Sequence, residues 1–231
     1  MSAYADLAVL AGRLAATTAD PDTERLGRPA LWQAPKDAAT FRKAAVLMLF
    51  GALDSIPAAS EKPLASADLD VLLIERAATL NNHPGQVAFP GGGVDPDDAS
   101  VAAAALREAE EETGLDPLGV EVLGTLPEIP LSVSNFMVTP VVGWWDRQTP
   151  VDVVDYGESA QVFRVPVRDL LDPDNRYTAV LARDGHSYRG PAFVVNEVVV
   201  WGFTAGILSY VFAELGWAVP WDEHREIPAP I

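Results

Sequence analysis

Four glutamates and one arginine stand close together in the segment from Arg107 to Glu112, and they are the side chains of this sequence best suited to chemistry. On an α-helix, Glu108, Glu111 and Glu112 project from the same side because they are three or four positions apart. Like charges at this spacing repel one another and weaken the helix, which favours a positive partner among them. Hard divalent cations such as Mg²⁺ bind carboxylate oxygens. The cluster therefore predicts a site for a divalent cation.

Two features distinguish this cluster from an ordinary solvated helix face, which is the alternative interpretation. The carboxylates lie near the C-terminal end of the predicted helix, where the helix dipole disfavours negative charge. Their only close basic neighbour, Arg107, can reach Glu111 one turn further on. An arginine fixed on one glutamate would hold that carboxylate either as a metal ligand or as a supporting group.

A glycine-rich segment, Pro90-Gly91-Gly92-Gly93, precedes the helix, and we predict that it is a turn after a short strand. Consecutive glycines permit positive φ angles and let the backbone approach a ligand closely. The segment matches neither the P-loop pattern GxxxxGK[ST] nor GxGxxG between a strand and a helix. A tight structural turn is the alternative to a ligand-binding one.

The spacing of apolar residues predicts the elements that must position these groups. Asp98 is the predicted N-cap of the glutamate-bearing helix, and Gly114 follows its last residue. Strands interspersed with so few helices favour an α/β fold in which helices cover both faces of a mixed sheet. Other helices are expected at 4–17, 167–171 and 203–215, and strands at 43–53, 70–75, 86–89, 120–126, 135–142 and 159–165, with a hairpin of 177–181 and 192–195.

The composition excludes several classes of protein. A net charge of −17 over 231 residues argues against a nucleic-acid binder, although a small anionic substrate stays compatible if metal ions screen it. The lack of cysteine excludes disulfides and cysteine-ligated metal sites. We find no signal peptide, and the longest apolar run, at 198–208, is too short to cross a bilayer. We therefore expect a cytoplasmic protein without a membrane partner, for which the apolar N-terminal extension leaves a homodimer open.

The segment from Gly93 to Leu115 resembles the Nudix box, G-x5-E-x7-R-E-U-x-E-E-x-G-U, in which U is an aliphatic or small apolar residue. Its second half, REAEEETGL, matches at every defined position. The first glutamate of the box is missing, because Ala99 stands there when the count starts at Gly93. When the count starts at Gly92, Asp98 takes that place and one residue is inserted before Arg107. The chain is thus identified as a member of the Nudix hydrolases.

A second resemblance, to the coenzyme A pyrophosphatase branch of that family, lies upstream of the box. The branch motif, roughly L-L-x-x-R-[SA]-x3-R-x3-G-x3-F-P-G-G, is similar in all its spacings to the segment from Leu72 to Gly92, with Asn81 in place of the second arginine. Near the other end of the chain, the segment from Trp201 to Leu208 resembles the W-G-x-T-A-x-I-L helix of the same branch. Together the resemblances cover roughly residues 43–215.

The resemblance implies an α/β/α sandwich with a mixed sheet that hydrolyses a nucleoside diphosphate linked to another group. We expect an N-terminal helical extension at 1–38, the Nudix domain at 39–217 and an irregular, proline-rich tail at 218–231. The implied metal ligands for Mg²⁺, with Mn²⁺ as a substitute, are Glu108, Glu112, Glu111 and the carbonyl of Gly92. The implied catalytic groups are Arg107, Glu111 and a loop acid, Glu158; the general base is either a box glutamate or that loop acid. The implied substrate-binding residues are Arg76, Asn81, His83 and Gln86.

Three functions are compatible with these residues. The first is hydrolysis of coenzyme A or acyl-coenzyme A to 3′,5′-ADP and phosphopantetheine or its acylated form. The second is hydrolysis of ADP-ribose, a nucleotide sugar or a dinucleotide. The third is a catalytically silent module that binds a nucleotide. Ala99 favours the third function, whereas the complete cluster from Arg107 to Glu112 favours an enzyme.

Overall fold

The computed structural model describes residues 2–17, 41–56, 63–79, 84–132, 134–183 and 186–230. Asn81 and His83 lie outside these ranges. The helices are α1 (Ala3–Thr17), α2 (Val101–Thr113), α3 (Val167–Leu171) and α4 (Gly202–Glu214). The strands are β1 (Arg42–Ala52), β2 (Leu69–Arg76), β3 (Val87–Ala88), β4 (Gly91–Gly93), β5 (Val120–Thr125), β6 (Ile129–Leu131), β7 (Phe136–Trp145), β8 (Ser159–Pro166), β9 (Arg176–Arg183), β10 (His186–Val195), β11 (Val198–Val200) and β12 (Glu226–Pro228).

The central sheet is mixed, as the sequence predicts. Its strands run in the order β3-β2-β1-β7-β5, with β4 paired to β1, β6 to β7 and β8 to β2. The long pair β1–β7 is parallel, and the other pairs of this sheet are antiparallel. Strand β1 is buried along most of its length because both of its faces are covered.

Alternate residues of β1 face two separate hydrophobic layers, so that the fold is an α/β/α sandwich. On one face, Leu47 and Leu49 belong to the same core as the alanines of α2. On the other face, Met48 and Phe50 share a core with residues of α1, α3 and α4. The small alanines of α2 let this helix approach β1 closely. The helix that carries the glutamate cluster is thereby fixed against the centre of the sheet.

The predicted N-terminal helix is confirmed as α1, and it packs on the central sheet. Leu7 and Ala11 are completely buried in the core that contains Phe50. The Tyr4 hydroxyl donates a hydrogen bond to Glu121 Oε1 at the end of β5, over 2.8 Å. The boundaries of the predicted domain, after residues 38 and 217, stay a prediction. No helix in the described ranges is long and apolar enough to cross a membrane.

Two local predictions are wrong around the glutamate-bearing helix. The N-cap of α2 is Ser100, whose hydroxyl accepts a hydrogen bond from the Ala103 amide over 3.1 Å, whereas Asp98 turns to Arg107 instead. The glycine segment is not a free turn, because Gly91–Gly93 pairs with β1 as strand β4. Only glycine fits at Gly91, where a Cβ atom would lie 2.3 Å from the Ala45 carbonyl oxygen.

A second sheet lies beyond the central one, with the strand order β11-β10-β9-β12. The predicted hairpin is confirmed as the antiparallel pair β9–β10. The C-terminal tail differs from the irregular segment that its prolines predict, because β12 pairs in parallel with β9. Strand β12 lies at the edge of this sheet, so within the described ranges one of its sides has no neighbouring strand to which an N–H group could donate. Pro228, which lacks an N–H group, is therefore tolerated at the end of this strand.

Candidate active site

Glu112 is the most enclosed carboxylate of the cluster, with 4 % of its surface exposed. Its Oε2 atom accepts a hydrogen bond from the Gly91 amide over 2.8 Å, which joins the end of α2 to β4. Burial raises the pKa of Glu112 to about 7, while the Gly91 hydrogen bond and the charge of Arg76 act in the opposite direction. The charges of Glu108 and Glu158 raise this pKa further. An acid so placed is poised to exchange its proton for a cation.

Glu108 lies one turn before Glu112 and faces the same strand. Its carboxylate occupies the space in which a side chain of Gly92 would stand, because a Cβ atom there would be 2.2 Å from Glu108 Oε2. Burial raises the pKa of Glu108, although Arg107 opposes the shift. The structure thus brings together Glu108, Glu112 and Gly92, three of the four predicted metal ligands.

Arg107 is the centre of a network of charged hydrogen bonds. Its Nε and Nη2 atoms donate to the two carboxylate oxygens of Asp98 over 3.1 and 3.0 Å, and Nη2 also donates to the Gly93 carbonyl over 3.0 Å. Its Nη1 atom donates to Glu108 Oε1 over 2.7 Å. These bonds to Asp98 and Glu108 raise the pKa of Arg107, so that the guanidinium stays charged. Arg107 therefore orients Glu108 and ties α2 to the strand β4.

Asp98 makes a contact with Arg107 that its predicted role as a helix cap did not include. Its two-point contact with Arg107 lowers the pKa of its carboxyl group. The position could have been found from the count that starts at Gly92, which puts an acid where the Nudix box has its first glutamate. The shorter aspartate reaches Arg107 from the turn before α2, and Ala99 then needs no function.

Glu111 lies at the edge of the network. Its Oε2 atom is 3.3 Å from Arg107 Nη1, and 58 % of its side chain is exposed. The predicted contact between Arg107 and Glu111 is therefore present, but it is longer than the contact with Glu108. Glu111 faces solvent on the same side of α2 as Glu108. A ligand bound between these two residues could contact both carboxylates.

Arg76 and Glu158, which are far apart in the sequence, meet beside Glu112. Arg76 ends β2, and its buried Nε atom has no hydrogen-bond partner among the residues that the structure describes. Glu158 ends the turn before β8, where its carbonyl accepts a hydrogen bond from the Ala77 amide over 2.8 Å. The Gln86 carbonyl accepts a hydrogen bond from the Arg76 amide over 3.0 Å, which holds Gln86 next to this corner. Asn81 and His83 belong to the same connection, outside the described residues.

These residues fit a divalent cation of the kind that completes its coordination with water and substrate. Within the described ranges, no three His, Asp or Glu side chains converge as a ready-made metal cage. Mg²⁺ is usually held in another way, by one or two carboxylates together with phosphate oxygens of the substrate. Glu108 and Glu112 supply two such carboxylates, and the glycine at position 92 lets the Glu108 carboxylate lie against strand β4. Arg76, which is partly exposed at the end of β2, brings a guanidinium charge that suits a phosphate.

The chain is similar in sequence to known proteins. A family model described as the NUDIX domain matches residues 63–183. A Cronobacter sakazakii (strain ATCC BAA-894) protein named "Uncharacterized Nudix hydrolase NudL" is 43% identical over 146 residues, which are 63% of this chain and 75% of that protein. The protein of the same name from Enterobacter sp. (strain 638) is 42% identical over 149 residues, again with 63% and 75% covered. A solved structure of an M. Smegmatis Nudix hydrolase, RenU, is 23% identical over 54% of this chain and 70% of that one, with a TM-score of 0.42.

Proposed function

The chain belongs to the Nudix family of hydrolases, and from this membership we propose that it cleaves the diphosphate bond of coenzyme A or acyl-coenzyme A. The products would be 3′,5′-ADP and phosphopantetheine or its acylated form. At the coarser level the protein is a Nudix pyrophosphohydrolase for nucleoside diphosphate derivatives that works with a divalent metal ion. We propose Mg²⁺ as this ion, with Mn²⁺ as a substitute.

One observation carries the proposal: two carboxylates of α2 and the charge of Arg76 meet at the same corner of the sheet. Glu112 is held there by the Gly91 amide, and its pKa responds to both Arg76 and Glu158. A diphosphate needs positive charge on both phosphates, which a metal ion on Glu108 and Glu112 and the guanidinium of Arg76 would provide. A solvated helix face would not bury one of its glutamates to this extent.

In the proposed mechanism, Glu108 and Glu112 would hold the metal ion, whose charge would neutralise the diphosphate and lower the pKa of the attacking water. Arg76 binds an oxygen of the phosphate that leaves. Glu158 accepts the proton of the water as it attacks one phosphorus atom, and the other phosphate departs. Glu158 suits this role better than Glu111, because its charge acts on Glu112 whereas Glu111 contacts Arg107. Arg107 keeps Glu108 in position throughout.

The proposal of coenzyme A as the substrate is supported by a contact between the two segments that resemble the coenzyme A branch, which are Leu72 to Gly92 and Trp201 to Leu208. Phe89 and Leu72 of the upstream segment are buried in the sandwich. The downstream segment begins α4, and its Thr204 hydroxyl donates a hydrogen bond to the Val87 carbonyl of β3 over 3.0 Å. Strand β3 leads directly into the glycine segment. The residues that resemble the coenzyme A branch therefore support one wall of the same site.

A panel of substrates tests the proposal. Purified protein with Mg²⁺ is incubated with coenzyme A, acetyl-coenzyme A, ADP-ribose, a nucleotide sugar and a dinucleotide polyphosphate, and the products are separated and identified by mass. We expect 3′,5′-ADP from both coenzyme A compounds at the highest rates. Faster cleavage of another compound would identify that compound, and not coenzyme A, as the preferred substrate. The protein would still be a pyrophosphohydrolase. No product from any of them would favour the silent module, against which the contact between Asp98 and Arg107 argues.

A further inference from the structure

A cavity of about 380 Å³ lies on the second sheet, and it shares no residue with the candidate active site. Its lining combines hydrogen-bonding groups and apolar surface from β9, β10, α4 and the C-terminal tail, among them Thr178, Arg189, Pro191, Ser209, Trp221 and His224. Its volume lies in the range of pockets for small molecules. Because the tail supplies Trp221 and His224, the pairing of β12 with β9 also builds one wall of this cavity.

Arg176 is buried behind this lining, with only 2 % of its surface exposed. Its guanidinium carbon lies 4.4 Å from the centre of the Phe193 ring and 4.8 Å from the centre of the Trp221 ring. Its Nη2 atom donates a hydrogen bond to the Ser209 hydroxyl over 2.9 Å, while its buried Nε atom has no partner. Two of the residues that it touches, Ser209 and Trp221, also line the cavity.

The charge of Arg176 lacks the partner that a buried arginine normally has. Among the described residues, the guanidinium of Arg176 contacts two rings and one hydroxyl, and none of these contacts is an ion pair with a carboxylate. Glu223, an exposed residue of the lining, acts on it only as a neighbouring charge. Burial lowers the pKa of Arg176 to about 10, so that it is still protonated at neutral pH. A buried charge without a counter-ion is costly, and the cost is removed when an anion binds beside it.

We propose that this cavity is a second ligand site, which binds the oxyanion group of a small organic molecule against Arg176. Arg189, which is half exposed and paired with Glu226, stands at the rim and attracts the anion. The hydroxyl of Ser209, already an acceptor for Arg176, has its own hydrogen to donate to the ligand. Trp221 and Pro191 supply apolar surface for the rest of the molecule.

The location of the charge distinguishes this site from general electrostatic attraction. The whole chain carries a net charge of −17, so that its surface as a whole repels anions. Binding of an anion here must therefore depend on one buried guanidinium and its fixed surroundings. The oxyanion group is either a phosphate or a carboxylate. Inorganic phosphate and acetate, used as separate probes, distinguish these two possibilities.

Thermal unfolding with inorganic phosphate or acetate as the probe tests the site. The samples contain a chelator and are matched in ionic strength with sodium chloride, so that metal-dependent binding at the other site is absent. We expect the Tm of the wild-type protein to rise with one of the two probes and to saturate. In Arg176→Met the dissociation constant should increase by about tenfold or more, because a charged hydrogen-bond donor is lost.

Two further variants keep the test decisive. Arg168→Met removes the same charge from a side chain that is 60 % exposed on α3, and it should respond like the wild type. Ser209→Ala keeps Arg176, so it carries the test if Arg176→Met does not fold; its affinity should fall on the order of fivefold. No saturable response of the wild type to either probe, or an unchanged response in both Arg176→Met and Ser209→Ala, would overturn the proposal.

Discussion

At the scale of single residues, the candidate site depends on how Arg107 shares its hydrogen bonds among three acids. Arg107 makes two bonds with Asp98, a short bond with Glu108 and a longer one with Glu111. Its two bonds with Asp98 fix the plane of the guanidinium, which in turn fixes the Glu108 carboxylate. We therefore expect Asp98 to act on Glu108 through Arg107.

The change Asp98→Asn tests this indirect role. Asparagine has an NH2 donor in place of one of the two acceptor oxygens, so it cannot accept from Arg107 Nε and Nη2 at two separate oxygens, and the guanidinium and Glu108 should lose their fixed orientation. We expect kcat to fall on the order of tenfold with little change in KM, as is typical when a supporting group of a metal ligand is removed. Steady-state kinetics with a fold check by circular dichroism gives the result.

The neighbouring change Asp97→Asn is the matched control, because Asp97 is exposed on the same turn. It removes one negative charge at nearly the same place. A wild-type kcat in Asp98→Asn, or an equal loss in Asp97→Asn, would refute the positioning role of Asp98.

At the scale of elements, the site is a joint between strand β4 and helix α2. Strand β4 pairs with the centre of the sheet, and α2 is anchored to it by the bond from Gly91 to Glu112 and the bond from Arg107 to Gly93. The helix ends at Gly114, which has the left-handed φ of 68° expected for its position. The glycines thus let the helix approach the strand so closely that its carboxylates lie against the backbone.

The pair Gly92→Ala and Gly93→Ala tests this close approach. A methyl group at position 92 would lie 2.2 Å from Glu108 Oε2, whereas one at position 93 has no neighbour within 4 Å. Because a carboxylate at the end of a side chain can move aside, we expect Gly92→Ala to fold but to lose most of its activity. Gly93→Ala should fold and keep its activity. Similar activity in the two variants, measured at equal Tm, would contradict the proposed packing of Glu108 on Gly92.

The sequence predicted the elements with a strong apolar period better than the contacts between them. The stripe of Leu7, Leu10 and Leu14 predicted α1, and it is buried as expected. Strand β4 has no side chains, so no period could reveal it, and only its pairing with β1 defines it. The N-cap was misplaced because Asp98 and Ser100 are both good caps, and the choice depends on Arg107, nine positions beyond Asp98. The contact of Arg76 with the turn at Glu158 depends on the pairing of β2 with β8, which spacing along the chain does not encode.

At the scale of the whole molecule, metal binding and folding should be coupled through Glu112. In the metal-free protein, burial raises its pKa from 4.5 to about 7, so the folded state holds this proton more tightly than the unfolded state. That contribution to stability is complete below the unfolded pKa and is lost as the pH rises through about 7. A metal ion needs the deprotonated carboxylate, so its binding grows over the same range.

The stabilisation by Mg²⁺ should therefore increase with pH. We expect the rise in Tm caused by saturating Mg²⁺ to be larger at about pH 8 than at about pH 6, because less work is then needed to remove the proton from Glu112. In Glu112→Gln, which cannot titrate, the small remaining shift should be the same at both values. An equal Mg²⁺ shift at the two pH values in the wild-type protein would contradict this coupling.

The most direct test of the account compares the wild-type protein with Glu112→Gln in the hydrolysis of coenzyme A. Formation of 3′,5′-ADP is followed by mass with and without Mg²⁺, and circular dichroism verifies that both proteins are folded. We predict turnover by the wild-type protein only with the metal ion, and a loss of turnover in Glu112→Gln of several orders of magnitude, since a metal ligand is removed from the reacting phosphate. Exposed Glu110, also on α2, provides the control Glu110→Gln, which should keep its rate. Metal-dependent turnover by Glu112→Gln at the wild-type rate would contradict the central claim.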